Sequence, residues 1–216
     1  AVNPTNVMGA SKRLAEIYVQ SLNQAVKDGL LQGRTQYITT RFGNVLGSQG
    51  SVIPLFKSQI DKGGPVTVTH PDITRYFMTI KEACLLMLEA SNIGHGGDIL
   101  VFDMGTPVKI ADLARKMILL SSHGEDNIKI EYTGLRPGEK LYEEILSSVE
   151  HTKPTSHTKI RIADANVYDF KELPSLYDRL EELARACRSE ESVRLAKEIV
   201  PEYISNNSEF SRLDRK

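Results

Sequence analysis

The sequence predicts an α/β fold, on two observations. A long amphipathic helical pattern near the start runs into a β-branched, aromatic-rich stretch at 35–42, and a second helical pattern at 80–93 runs into the apolar stretch Ile99-Leu100-Val101-Phe102-Asp103. Helix alternating with strand is the signature of a largely parallel sheet, and an unbroken apolar strand is what a parallel sheet covered on both faces requires. With 40% hydrophobic and 25% charged residues in 216, the chain has the apolar material for a real core in one or two units.

The first element is organised around Asn3-Pro4-Thr5-Asn6-Val7-Met8-Gly9-Ala10-Ser11-Lys12. Asn3 suits an N-cap and Pro4 the first helical turn, where its missing N–H costs nothing. Val7, Ala10, Leu14, Ile17, Tyr18, Leu22 and Ala25 then recur at spacings of three and four. Met8 and Lys12, four apart, share one face. Spacing alone leaves open whether Lys12 is functional or a solvated lysine on a buried helix. Gly9 costs roughly 1 kcal/mol against alanine, which is tolerable where something must approach the backbone.

Asp28-Gly29 and Gln32-Gly33 break this helix, and 35–42 reads as a strand. The glycine-rich stretch 43–50 leaves the end of that strand, where open α/β sheets bind ligands; a plain turn accounts for it equally well. Ser51 is placed to cap a helix running to Lys62, ended by Gly63-Gly64-Pro65. Val66–Thr69 reads as a short strand and 71–79 as an extended segment carrying Arg75 among Tyr76, Phe77 and Met78, either a strand-edge charge or a buried anion ligand. The 80–93 helix follows, with Ile80, Cys84, Met87 and Leu88 as its stripe, and Gly94 to Gly97 ends it. After the strand at 99–103, Thr106 and Pro107 are expected to start a helix with Ile110, Leu113, Ala114, Met117 and Ile118 on one side. A strand at 128–132, a turn at 135–140 and a helix at 141–146 complete this part. From 151 to 170 the chain reads as polar and irregular; two amphipathic helices follow, one through Leu176, Leu180, Leu183, Ala184 and Cys187, the other through Val193, Leu195 and Ile199. Their outer faces alternate Glu and Arg, which fits packing on the body or on a neighbouring subunit and implies no chemistry.

Composition excludes several functions. A net charge of −1 with both signs interspersed gives no electrostatic footprint for nucleic acid. The chain has neither an apolar run of membrane-spanning length nor a signal-peptide pattern, so it reads as soluble and without membrane contact. Cys84 and Cys187 form no motif, the five histidines lack ligand spacing, and no metal site is expected. Reduced cytoplasm fits this cysteine usage. A dinucleotide-binding fold opens with a strand, a Gly-x-Gly-x-x-Gly turn and a helix; no such motif occurs here, so the chain is expected to be the C-terminal portion of a longer protein.

Met8-Gly9-Ala10-Ser11-Lys12 resembles the Tyr-x-x-x-Lys segment of extended short-chain dehydrogenases, with methionine in place of tyrosine. The run 1–16 is similar to the branch containing the bacterial nucleotide-sugar 4,6-dehydratases of capsular and O-antigen polysaccharide biosynthesis, whose large membrane-anchored members carry methionine there. The resemblance spans residues 1–150 and implies that 1–50 form the C-terminal part of an NAD-binding Rossmann-like domain. It implies further that 51–150 form mainly a smaller α/β substrate domain, with 80–104 returning to the sheet, and that 151–216 are a helical C-terminal extension. Lys12 would hold the nicotinamide ribose hydroxyls, and the backbone at Phe42 would lie near the nicotinamide. Asn44, in Arg41-Phe42-Gly43-Asn44-Val45, would touch the substrate diphosphate, and Ser51 to Pro54 would pack on the nucleobase. Arg75 in Thr74-Arg75-Tyr76 and Arg136 in Arg136-Pro137-Gly138-Glu139 would grip the diphosphate, a task that suits the planar guanidinium fork, and Glu139 would accept from the nucleotide ribose.

The implied reaction is NAD-dependent 4,6-dehydration of a UDP-sugar, UDP-N-acetylglucosamine being the substrate expected for this branch. Hydride leaves C4, water is eliminated across C5 and C6, and hydride returns to C6. Met8 stands at the catalytic position but cannot transfer a proton, so another base is required. In the resembling enzymes it comes from a Thr-Asp-Lys sequence just before the segment matching Ala1. The isolated chain is therefore expected to hold the substrate grip and to lack turnover. The resemblance leaves open a homo-oligomer, and a parent anchored in the inner membrane with this part facing the cytoplasm. A nucleotide-sugar 4-epimerase and a non-catalytic nucleotide-sugar binding module are the competing readings.

Overall fold

The computed structural model describes residues 2–121, 128–146, 151–164 and 168–214. In chain order its elements are α1 (Val7–Lys27), β1 (Thr39–Arg41), β2 (Asn44–Val45), α2 (Val52–Asp61), β3 (Val66–Val68), β4 (Thr74–Arg75), β5 (Phe77–Met78) and α3 (Ile80–Ile93). They continue as β6 (Ile99–Phe102), β7 (Val108–Lys109), α4 (Ile110–Leu119), β8 (Ile130–Tyr132), β9 (Thr152–Pro154), β10 (Ile160–Ala163), α5 (Leu173–Arg185), α6 (Ser189–Ile199) and a closing 3-10 turn at Glu209–Leu213. The α/β alternation read from the sequence is present. The chain divides into two units, one formed by Ala1–Arg41, Glu89–Phe102 and Glu144–Lys216, the other by Phe42–Leu88 and Asp103–Glu143.

The first unit is a four-stranded sheet, ordered β1-β6-β10-β9, with helices. β1 and β6 run parallel, Thr39 opposite Ile99 and Arg41 opposite Val101, and all four residues of β6 are buried. β10 runs antiparallel to β6 and β9 antiparallel to β10. These two strands lie where a polar, irregular stretch is expected. Their pattern is too short for periodicity to register: Ile160 is buried, Arg161 exposed and Ala163 buried again. The main core joins Ala10, Leu14 and Ile17 of α1 to Leu173 and Leu183 of α5 and to Val193, Leu195 and Ile199 of α6. Ile17 is completely buried, which is worth about 1.5–3 kcal/mol.

α1 starts later than the sequence suggests. Asn6, not Asn3, is the N-cap, its Oδ1 accepting the Gly9 N–H at 2.7 Å. Asn3 has φ of 46°, which no helical N-cap adopts. A Cβ on Gly9 would lie 3.2 Å from the Pro4 Cβ, so what approaches this glycine is the chain's own lead-in.

The second unit holds three two-stranded pairings: β2 with β5 and β3 with β8, both parallel, and β4 with β7, antiparallel. Its core gathers Phe56 and Ile60 of α2, Val66 and Val68 of β3, and Ile110, Ala114 and Ile118 of α4. Three expectations need correction here. α4 begins at Ile110 with Lys109 as N-cap, because 108–109 pair with β4 and the Ile110 N–H donates to the Ile73 carbonyl at 3.0 Å. Sheet pairing overrides the Thr106-Pro107 start signal. Residues 141–146 form no helix; the Leu141 carbonyl instead accepts the Thr74 N–H at 3.1 Å, which ties this segment to β4. In α3 the buried residues are Ala83, Leu86 and Ala90, whereas Ile80 and Leu85 are each 56% exposed and Leu88 is 68% exposed. α3 is apolar on two stripes, and periodicity identifies the helix without choosing between them. Two smaller corrections concern length: the 35–42 strand shrinks to β1, and Cys187 lies just past α5, at φ of 55°.

Candidate functional site

Met8 and Lys12 sit on the first two turns of α1, both exposed. The helix spacing puts them on one face, and Lys12 makes no hydrogen bond or ion pair with any described residue. The next turn of the helix is anchored by a buried ionic cluster. Glu16 accepts from Arg41 through Nε at 2.9 Å and Nη2 at 2.5 Å and is paired with Arg13. Arg13 in turn reaches Glu202 at 2.6 Å and the Tyr168 hydroxyl at 3.1 Å. Burial alone would raise the Glu16 carboxyl, but the Arg41 hydrogen bonds and the charges of Arg41 and Arg13 hold it below its ordinary value. Burial would lower Arg13, and the Glu16 charge overrides it, so the guanidinium is held more firmly protonated. The sequence offered no signal for this cluster beyond an Arg and a Glu three apart on a helix.

In the second unit the chain after β1 enters β2, where the Asn44 N–H donates to the Tyr76 carbonyl at 2.9 Å. Gly43 is required there: a Cβ would lie 2.8 Å from the Tyr76 Cβ and 3.1 Å from its carbonyl oxygen. Phe42, just before it, is 38% exposed. Ser51 is the N-cap of α2, but its side chain makes no capping bond, and its buried Oγ has no hydrogen-bond partner among the described residues.

Arg75 and the turn at 136–139 come together in this unit. The turn is closed by the Glu139 N–H donating to the Arg136 carbonyl at 3.0 Å, and Gly138 supplies the positive φ of 70° that it needs. Glu139 Oε2 accepts the Arg136 N–H at 3.0 Å, and Oε1 accepts from the Thr69 hydroxyl at 3.1 Å and lies 3.6 Å from Arg75 Nη2. Arg75 Nε lies 3.5 Å from Glu143 Oε1, and Nη1 donates to the Thr74 carbonyl at 2.7 Å. Arg136 is exposed, with no side-chain partner among the described residues. Arg75 thus stands between two partly exposed carboxylates, with the Arg136 turn joined to them through its backbone. Thr69 and Glu143 escaped sequence reasoning, since nothing in their local patterns distinguishes them from an ordinary strand end and a helical glutamate.

A family model described as "Polysaccharide biosynthesis protein" matches residues 1–165, well over half of the chain. The chain belongs to this family. Within it, the chain is 59% identical over 150 residues to the capsular polysaccharide biosynthesis protein CapD of Staphylococcus aureus, an alignment covering 69% of this chain and 24% of that protein. It is 40% identical over 153 residues to a UDP-glucose 4-epimerase of Rickettsia akari (strain Hartford), covering 71% of this chain and 42% of the epimerase. The X-ray structure of Pen from Bacillus thuringiensis superposes with a TM-score of 0.68 at 36% identity, over 77% of this chain and 50% of that one. The chain thus spans between a quarter and a half of the length of these relatives. The family match includes α1, Arg75, Arg136 and Glu139 and stops before α5 and α6, which supply much of the core around α1.

Proposed function

We propose that this chain carries the nucleotide-sugar grip of an enzyme that dehydrates a UDP-sugar at C4 to C6, with UDP-N-acetylglucosamine as substrate, in the synthesis of a bacterial surface polysaccharide. The observation that carries this reading is the juxtaposition of Arg75 with the Arg136–Glu139 turn through the Glu139 carboxylate, which brings a guanidinium that fits a diphosphate beside a carboxylate that fits ribose hydroxyls. The capsular relative supports the product class, and the epimerase, whose named substrate is a UDP-sugar, supports the nucleotide.

One observation supports NAD: the Lys12 ammonium is exposed and pairs with none of the described residues, which suits a ligand for ribose hydroxyls. Bound NAD would supply hydride acceptance at the sugar C4 and its return at C6. Lys12 would orient the ribose and favour the ionised form of any nearby acid by its charge. Met8 neither takes nor gives a proton, so it shapes the space beside Lys12 while proton transfer belongs to other groups. Arg75 and Arg136 would hold the diphosphate, Asn44 would add a polar contact to it, and Ser51 would stand beside the base.

Calorimetric titration of the 216-residue chain with UDP tests the grip. Arg136→Ala should weaken binding by about 1.5–3 kcal/mol, the range for a hydrogen bond to a charged group; an unchanged affinity would remove Arg136 from the site. The 40% identity to a 4-epimerase favours a second outcome for the same grip, hydride return to C4. Mass analysis of the product made by the intact protein separates them: loss of water marks dehydration, and retained mass marks epimerisation.

A further inference from the structure

Arg75 is already enclosed by acceptors of its own unit. Its side chain is only 14% exposed, and Nη1 donates to the carbonyls of Thr74 at 2.7 Å and Leu141 at 3.4 Å. Nη2 faces Glu139 at 3.6 Å and Nε faces Glu143 at 3.5 Å. The one guanidinium of Arg75 thus faces two carboxylates, which offset its charge at the place proposed to receive a diphosphate. The two carboxylates are not equivalent. Glu139 also closes the turn, accepting the Arg136 N–H and the Thr69 hydroxyl. Glu143 lies on the Nε side of the guanidinium, two residues after Leu141, whose carbonyl is bonded to Thr74.

We propose that Glu143 is a positioning residue that sets the strength of the phosphate grip through Arg75. It fixes the guanidinium from its Nε side and offsets part of its charge, so that a nucleoside diphosphate is held releasably and not trapped. This rests on the reading that Arg75 and Arg136 hold the diphosphate. A purely structural glutamate predicts the opposite sign, because removing it would loosen Arg75 and weaken binding. Charge offset instead predicts that removing the carboxylate strengthens binding, and more so the more highly charged the ligand.

The test compares the 216-residue chain with Glu143→Gln, which keeps an acceptor for Nε, and with Glu143→Ala, which removes the carboxylate with a different shape. Circular dichroism establishes that each is folded. Each is titrated with UDP, UMP and uridine. Glu143→Gln should bind UDP about three- to ten-fold more tightly, the scale of one partly screened charge, UMP with a smaller gain and uridine unchanged. If the parent chain binds UDP and neither variant binds it more tightly, Glu143 does not act through charge and the inference falls while the diphosphate grip stands. An equal gain for uridine would also overturn it, since the effect would then be conformational. If parent and variants all fail to bind UDP, the grip itself is refuted, and the role of Glu143 with it.

Discussion

Glu16 is held by two arginines in a nearly water-free setting, Arg13, Glu16 and Arg41 being 6–7% exposed. A buried ion pair contributes little against an apolar replacement, yet removing one partner is costly because the other charge is left uncompensated. Glu16→Ala should therefore destabilise the first unit by about 3–5 kcal/mol, read from urea midpoints at neutral pH. The carboxyl is held below its ordinary value of 4.5, so its contribution is complete above that pH and is lost as pH falls through the lower folded value. The stability gap between the parent chain and Glu16→Gln should thus narrow on acidification below pH 4.5; a gap independent of pH would mean that folding leaves the Glu16 carboxyl unshifted. At this scale Arg75, Arg136 and Glu139 were singled out by short motifs that resemble those of a known family, and the structure brings Arg75 to Glu139. Thr69, Glu143 and the Arg13–Glu16–Arg41 cluster were not, because their partners lie up to 189 residues away, as Arg13 and Glu202 do.

Elements were legible wherever a helix is long or a strand wholly apolar. α1, α3 and β6 fall where periodicity puts them, and α5 and α6 follow their apolar stripes. Two of the failures share one cause, backbone groups recruited by a distant segment: 108–109 join β4 in place of a helix start, and Leu141 bonds Thr74 in place of a helical turn. The β2–β5 pairing makes a sharp prediction. In Gly43→Ala the new Cβ would lie 2.8 Å from the Cβ and 3.1 Å from the carbonyl oxygen of Tyr76, the residue between β4 and β5. Overpacking of this kind costs about 1–3 kcal/mol, and thermal unfolding of the variant should show it. An unshifted melting temperature would mean that the two strands do not approach as described.

Across the molecule, the conspicuous mismatch is between the family match, which ends at residue 165, and the core of the first unit, which does not. Beyond that point Tyr177 donates to the Leu14 carbonyl at 2.6 Å, and Glu202 holds Arg13. The Ile204 and Asn206 N–H groups also donate to the carbonyls of Pro4 and Thr5, at 3.2 and 3.1 Å. A chain ending at 165 should leave Leu14 and Ile17 uncovered, lose hydrogen-exchange protection along α1 and self-associate on size-exclusion chromatography. Full protection of α1 in a monomeric truncated chain would show that the C-terminal helices are dispensable. What the sequence by itself determined was the α/β class and the long elements, because periodicity acts over a few residues; Lys12, Arg75, Arg136 and Glu139 were singled out by the motif resemblance, and their roles are proposed. Only the tertiary structure decided which stripe of α3 is buried, that β9 and β10 extend the sheet, that α5 and α6 complete the core around α1, and that Arg75 faces two carboxylates. Each of these depends on which distant groups meet, and local pattern carries no information about that.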